Sequence, residues 1–249
     1  MDPAHLKKIT QVSENARTRY HEFWKNKKKH VRVRKKAWSN SVERHGLRGA
    51  ARRKRIAEDL YKFRALDKAG VWGRSFNAGL KELSEYWYNL DLAKEVMGQV
   101  LKSKEGFHVL EVGCGGGKAA SDLFTQLEGK IKVSALGLAR IPSWDTYSNS
   151  KKINWHVGDV ARLSLMKGFS PESVDFIHSN IGIGHSPEPY RSLQQVHKVL
   201  KKGGKVLFTY DGSEKLSIPK GFKFIRGFSN GYKKNPMYAQ LKTYYLEKV

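Results

Sequence analysis

The sequence predicts an α/β fold: a mostly parallel sheet wrapped by helices, closed at one edge by an antiparallel hairpin and preceded by a basic helical extension. From residue 107 onward, short β-rich runs alternate with helical ones, the order that gives parallel strands joined by crossovers. The chain then ends on two β-rich runs, FKFIRGF (222–228) and MYAQLKTYYLEKV (237–249), joined by the turn-forming SNGYKKNP. Charge marks the third boundary. Residues 1–75 hold 22 Lys and Arg against 7 acids, or +15, and residues 76–249 hold 25 against 16, or +9, making the chain's +24.

Within the extension, Leu6, Ile9, Val12, Ala16, Tyr20 and Phe23 recur at helical spacing and form one apolar stripe. The run KNKKKHVRVRKKAW follows at 25–38. A second cluster, Arg52–Arg55, opens another helix to about Leu66. A longer helical region spans 75–102, broken at Gly79. In the domain at 76–249, strands are expected near 107–112, 131–136, 152–157, 174–180 and 204–210. Helices are expected at 117–127 and 187–201, with shorter ones near 143–150 and 160–167. About ten residues separate the fifth strand from the hairpin, too few for a full helix between them.

At 249 residues the chain suits one α/β domain plus the extension. No apolar run approaches the roughly 20 residues of a membrane helix, and MDPAHLKKITQ lacks the apolar core of a secretory signal. Cys114 is the single cysteine, so neither an internal disulfide nor a cysteine metal cluster is expected. An intracellular, cytoplasmic protein without a metal fits, with organelle import left open. The charge points to a polyanion, most simply RNA or a ribosomal particle. Lys27, Lys28, Lys29, Arg32, Arg34, Lys35, Lys36, Arg52, Arg53, Lys54 and Arg55 would neutralise phosphates. Trp24, Trp38 and Trp72 interleave with them, for stacking on unpaired bases or for packing.

The chemistry is signalled by HVLEVGCGGGKAASDL (108–123), a strand, a glycine loop and a helix start. Gly113, Gly115 and Gly117 give G-x-G-x-G. Lys118 stands where a dinucleotide fingerprint needs Gly or Ala. Gly116 and Gly117 let backbone come close to a ligand, and the helix start favours an anion. There is no phosphate loop of the G-x-x-x-x-G-K-[ST] type and no G-x-S-x-G nucleophile turn.

EVGCGGG, INWHVGDV, SVDFIHSNIGIGH and VHKVLKKGGKVLFTYD follow one another in the order and spacing of a known family. Over about residues 85–249 the chain resembles the class I S-adenosylmethionine-dependent methyltransferases, in their broad methyltransferase-domain branch. The resemblance implies a Rossmann-like sheet of seven strands with S-adenosylmethionine as cofactor. Glu111, Gly113 and Gly115 would flank its methionine part, and Cys114 and Gly117 belong to the same cofactor-binding loop, with Cys114 as packing. Asp159 would meet the adenine amino group, with the Val160 N–H nearby. Asn180 and Ile181 would lie beside the sulfonium. Read as residues alone, Glu111 is a strand-end acid and Asp159 a helix N-cap.

One position departs from the family. Its ribose-binding acid falls at Gly137, and charged hydrogen bonds of that kind are worth roughly 1.5–3 kcal/mol. Asp145, eight residues later, is a candidate substitute. Methyl transfer from a sulfonium depends mainly on alignment, with a base needed only for a protonated acceptor. His185 is the candidate base, His178 is expected to pack, and Tyr210 and Asp211 would touch an acceptor. Three readings follow: a methyltransferase acting on ribosomal or transfer RNA, a weakly active or inactive RNA- or ribosome-binding factor of the same fold, and a small-molecule or protein methyltransferase.

Overall fold

The computed structural model describes residues 78–249 apart from 104–105, 128, 181, 185, 211–215 and 230–240. The helices and basic clusters expected at 1–75 lie outside the described residues. The chain divides into two units after Ser75, and the fold that follows is that of the second.

Seven strands form one sheet. They are β1 (Phe107–Val112), β2 (Ile131–Gly137), β3 (Asn154–Val157), β4 (Val174–Ser179), β5 (Leu200–Tyr210), β6 (Phe222–Ser229) and β7 (Lys242–Lys248). Their order is β3-β2-β1-β4-β5-β7-β6. The first five are parallel, and β7 inserts antiparallel between β5 and β6. The expected sheet and terminal hairpin are both present, the second arm of the hairpin lying inside. The order reverses between β1 and β4, and the carboxyl ends flanking such a reversal are where open α/β sheets take ligands.

Alternation along the strands splits the core into two layers. Val109, Val133, Phe176 and Leu207 face one side, beneath α2 (Leu92–Val100) and α3 (Lys118–Gln126). Leu110, Leu136, Ile177, Val206 and Phe208 face the other, beneath α4 (Pro189–Val199). Pro189 starts α4 where its missing N–H costs nothing. Asp91 caps α2 by accepting from the Lys94 N–H at 3.0 Å.

Several boundaries differ from expectation for local reasons. Gly79 is extended and precedes α1 (Leu80–Glu82), which continues as a π-helix over Leu83–Tyr88; the residues of the expected helical region before 78 lie outside the described residues. A break that the sequence did not announce comes at Asn89, in the left-handed region at φ 47°, followed by the Asp91 cap. Ser84 clasps both segments, its Oγ donating to the Leu80 carbonyl and accepting from the Leu92 N–H. The helix expected at 143–150 is two 3-10 turns, Pro142–Thr146 and Ser150–Lys152. There Ser143, Tyr147 and Asn149 bond to other parts of the fold instead of leaving the segment free to wind on. The stretch near 160–167 is a 3-10 helix, Val160–Leu165, interrupted at Arg162.

Asp175 joins three strands at the opposite end of the sheet. Its carboxylate accepts from the His108 N–H at 2.8 Å and pairs with Lys201 at 2.8 Å, with little exposure. We expect Asp175→Ala to cost about 2–3 kcal/mol, since it strands a buried donor and removes a charge partner. Denaturant unfolding measures this.

Candidate functional site

The site is built from the glycine loop upward. β1 delivers the chain to Gly113, whose N–H bonds to the Leu136 carbonyl at 2.8 Å. Gly113, Gly115 and Gly117 hold φ values of 76°, 48° and 80°, a region L side chains rarely adopt. Gly117 then forms the N-terminus of α3 without a side-chain cap. A Cβ at Gly113 would lie 2.7 Å from the Gly182 Cα, so the loops after β1 and β4 meet backbone to backbone. Gly182 was not singled out in the sequence; its only signal is the repeated glycine in NIGIGH. Cys114 is buried within the loop, as expected of a packing residue.

Glu111, the last residue but one of β1, is buried. One face of its environment is the start of α3, where the Ala120 backbone N–H favours the charged carboxylate. Its Oε2 has no partner among the described residues. Loss of hydration pushes the carboxyl up to about 8, against a smaller opposing effect of the Ala120 backbone N–H. Its register partner on β4 is His178, fully buried and held neutral, with a pKa of about 3, by the same loss of hydration. The His178 Nε2 also has no partner among the described residues. Tyr88, from the π-helix, closes over both. Its hydroxyl stands 3.4 Å from His178 Nδ1, and burial together with Glu111 pushes it well above its usual range. Thus His178 is packed, as expected, but inside a polar cluster that periodicity alone did not reveal.

The other predicted residues occupy the same edge. Asp159 is the N-cap of the 3-10 helix after β3, its Oδ1 accepting from the Ala161 N–H at 2.9 Å. Val160 is buried in the second core layer. Asn180 follows β4 and accepts from the Thr209 hydroxyl at 3.2 Å, and Tyr210 ends β5 in the core. Ile181, His185 and Asp211 lie outside the described residues, as do all the basic residues assigned to RNA. Asp145 stands at the surface, paired with Arg140 at 2.5 Å, and so does not replace the missing acid.

Gly137 ends β2, as expected, but its surroundings were not foreseen. The Trp144 ring packs on it, fully buried, and donates Nε1–H to the Gly115 carbonyl at 2.8 Å. Ser143 and Tyr147 each donate to the Gly116 carbonyl at 3.0 Å. Trp155 stacks on Trp144 with ring centroids 5.0 Å apart. The residues therefore fit S-adenosylmethionine unevenly: the glycine cradle and the unmatched Glu111 oxygen suit its methionine end, while the ribose end lacks both the acid and the space. Among the described residues no group of His, Cys, Asp or Glu could hold a metal, and no helix is long and apolar enough to cross a membrane.

The pH response isolates Glu111. Its folded pKa is raised, so the folded protein keeps a proton that the unfolded chain releases above about 4.5. The stability from this group is full below that pH and is lost as pH rises through 8. Glu111→Gln should flatten the thermal stability profile between pH 5 and 8 and exceed the wild type at pH 8.5. The upper bound from the shift is on the order of 5 kcal/mol. His108 and His178, with lowered values of about 4 and 3, act oppositely below pH 6.5 and cancel in the comparison.

Residues 110–208 match the family model described as methyltransferase domain. No curated protein matches the chain. Among solved structures, it is similar to the 1,6-didemethyltoxoflavin-N1-methyltransferase of Burkholderia thailandensis, at 13% identity over 79% of this chain and 90% of that one, with a TM-score of 0.54. It is also similar to a SAM-dependent methyltransferase of Aquifex aeolicus, at 17% identity over 72% and 98%, with a TM-score of 0.51. At such identities the likeness is one of fold. Sheet order, glycine loop and family match agree: the chain carries a class I S-adenosylmethionine-dependent methyltransferase-fold domain.

Proposed function

We propose that this protein is an S-adenosylmethionine-dependent methyltransferase acting on ribosomal or transfer RNA, which its basic N-terminal segment binds. The observation that carries the methyl-transfer half is the glycine loop, with three left-handed glycines at the sheet reversal, opening α3 beside the Glu111 carboxylate. When bound, the cofactor supplies a methyl group already activated on a sulfonium. The chain's own task is to hold and orient. Glu111, Gly113, Cys114, Gly115 and Gly117 line the methionine end, Asp159 and Val160 the adenine end, and Asn180 and Ile181 the reacting side. His185 is the proposed base for an acceptor that must lose a proton. The RNA half is supported by the +15 of residues 1–75.

A second reading has its own observation. With Gly137 in place of the acid and Trp144 packed against it, the domain would serve as a non-catalytic RNA- or ribosome-binding factor. Calorimetric titration with S-adenosylmethionine and S-adenosylhomocysteine separates the two. Micromolar binding, strengthening toward pH 8 and lost in Glu111→Gln, supports the enzyme. A folded protein that binds neither supports the factor.

The RNA assignment has a separate check. Replacing Lys27, Lys28 and Lys29 by Gln should reduce the salt slope of affinity for single-stranded RNA by about 2. An unchanged slope would leave those residues outside the interface and favour a small-molecule or protein acceptor.

A further inference from the structure

The position where the family keeps its ribose acid is not merely vacated in this chain. A Cβ at Gly137 would stand 2.9 Å from Cζ2 of Trp144 and 3.2 Å from its Cη2. No side chain of any kind fits there while the indole is in place. The ring has no accessible surface. It is fixed at one end by the bond from its Nε1 to the Gly115 carbonyl, 2.8 Å long. Its other face lies on Trp155, which also covers Gly117, where a Cβ would meet the Trp155 ring at 2.6 Å.

We propose that Trp144 has taken over the ribose end of the cleft, so that this chain does not read the hydroxyls of a nucleoside cofactor. Gly137 and Trp144 are a matched pair, the glycine making room for the ring. The segment that carries the ring is tied down along its length. Ser143 and Tyr147 bond to the Gly116 carbonyl. Asn149 donates to the Ser121 carbonyl and to the Thr125 hydroxyl on α3. Three donors of one segment thus spend themselves on the two loop carbonyls that a ligand's own donors would otherwise find. Ordinary core packing would bury an indole without this; here the polar groups of the segment converge on the loop. Asp145, the one acid of the segment, points away into its pair with Arg140.

This inference rests on reading the cleft as an S-adenosylmethionine site, and the experiment keeps the two apart. The full-length protein is titrated with S-adenosylhomocysteine and with its 2′,3′-dideoxy analogue. We expect affinities within threefold of each other; a loss of tenfold or more on removing the hydroxyls overturns the proposal. Should the wild type bind neither, the Gly137→Asp, Trp144→Ala double variant decides. A gain of binding for the hydroxylated ligand alone upholds the proposal while the methyltransferase reading falls. No gain in a folded double variant overturns it. A Trp144→Leu version serves the same purpose where the alanine form unfolds. The pairing has a ligand-free readout as well. Gly137→Asp alone should lower the melting temperature, and Trp144→Ala in that background should recover part of the loss. A Gly137→Asp protein as stable as the wild type would show that the ring does not sit there.

Discussion

The hydrogen bond from the Trp144 indole to the Gly115 carbonyl ties the segment after β2 to the glycine loop. A glycine loop is conformationally permissive, and its backbone must be held by something. In this chain the holder is the segment after β2, which reaches the loop through Trp144, Ser143 and Tyr147. The same contacts explain why that segment is not a regular helix: its side chains bond outward to the loop and to α3 rather than along a helix face. Gly137, Gly117 and the two tryptophans then follow as one packing unit, because no larger residue fits at either glycine.

A second constraint is the polar row under the π-helix. Glu111 and His178 are register neighbours on adjacent strands, pointing into the layer that Tyr88 seals. Burying a carboxyl and an imidazole with an unmatched atom on each is costly, and the proton on Glu111 together with the neutral state of His178 limits that cost. π-Helical turns often mark functional segments. This one brings Tyr88 to the same pair, with its hydroxyl 3.4 Å from His178 Nδ1.

The fold was largely legible in the sequence because its signals are local. β1 falls where its apolar run lies, and α3 begins where the last glycine of the loop ends. The hairpin was announced by two β-rich runs around turn residues. What was not legible depends on tertiary contacts. Asn89 interrupts the helical region after Tyr88, because its left-handed backbone is followed at once by the Asp91 cap. Gly137 could be read as a missing acid, but nothing in its neighbours told that Trp144, seven residues on, would fill the space. Asp159 is the N-cap that the residue read alone suggests, two positions past the end of β3.

Charge connects the site to its proposed partner without a specific contact. Within residues 76–249 the basic excess is concentrated at the end: residues 201–249 hold 11 Lys and Arg against 3 acids, or +8 of the +9. Lys201, Lys205 and Lys248 are engaged with Asp175, Glu95 and Glu172. Lys202, Lys220, Lys223 and Lys242 are exposed. On the proposed reading, this positive excess would draw a polyanion toward the domain itself, in addition to the charge of the N-terminal segment. That attraction accelerates encounter and carries no sequence preference. Selection of a particular RNA would therefore have to come from shape and stacking rather than from these lysines.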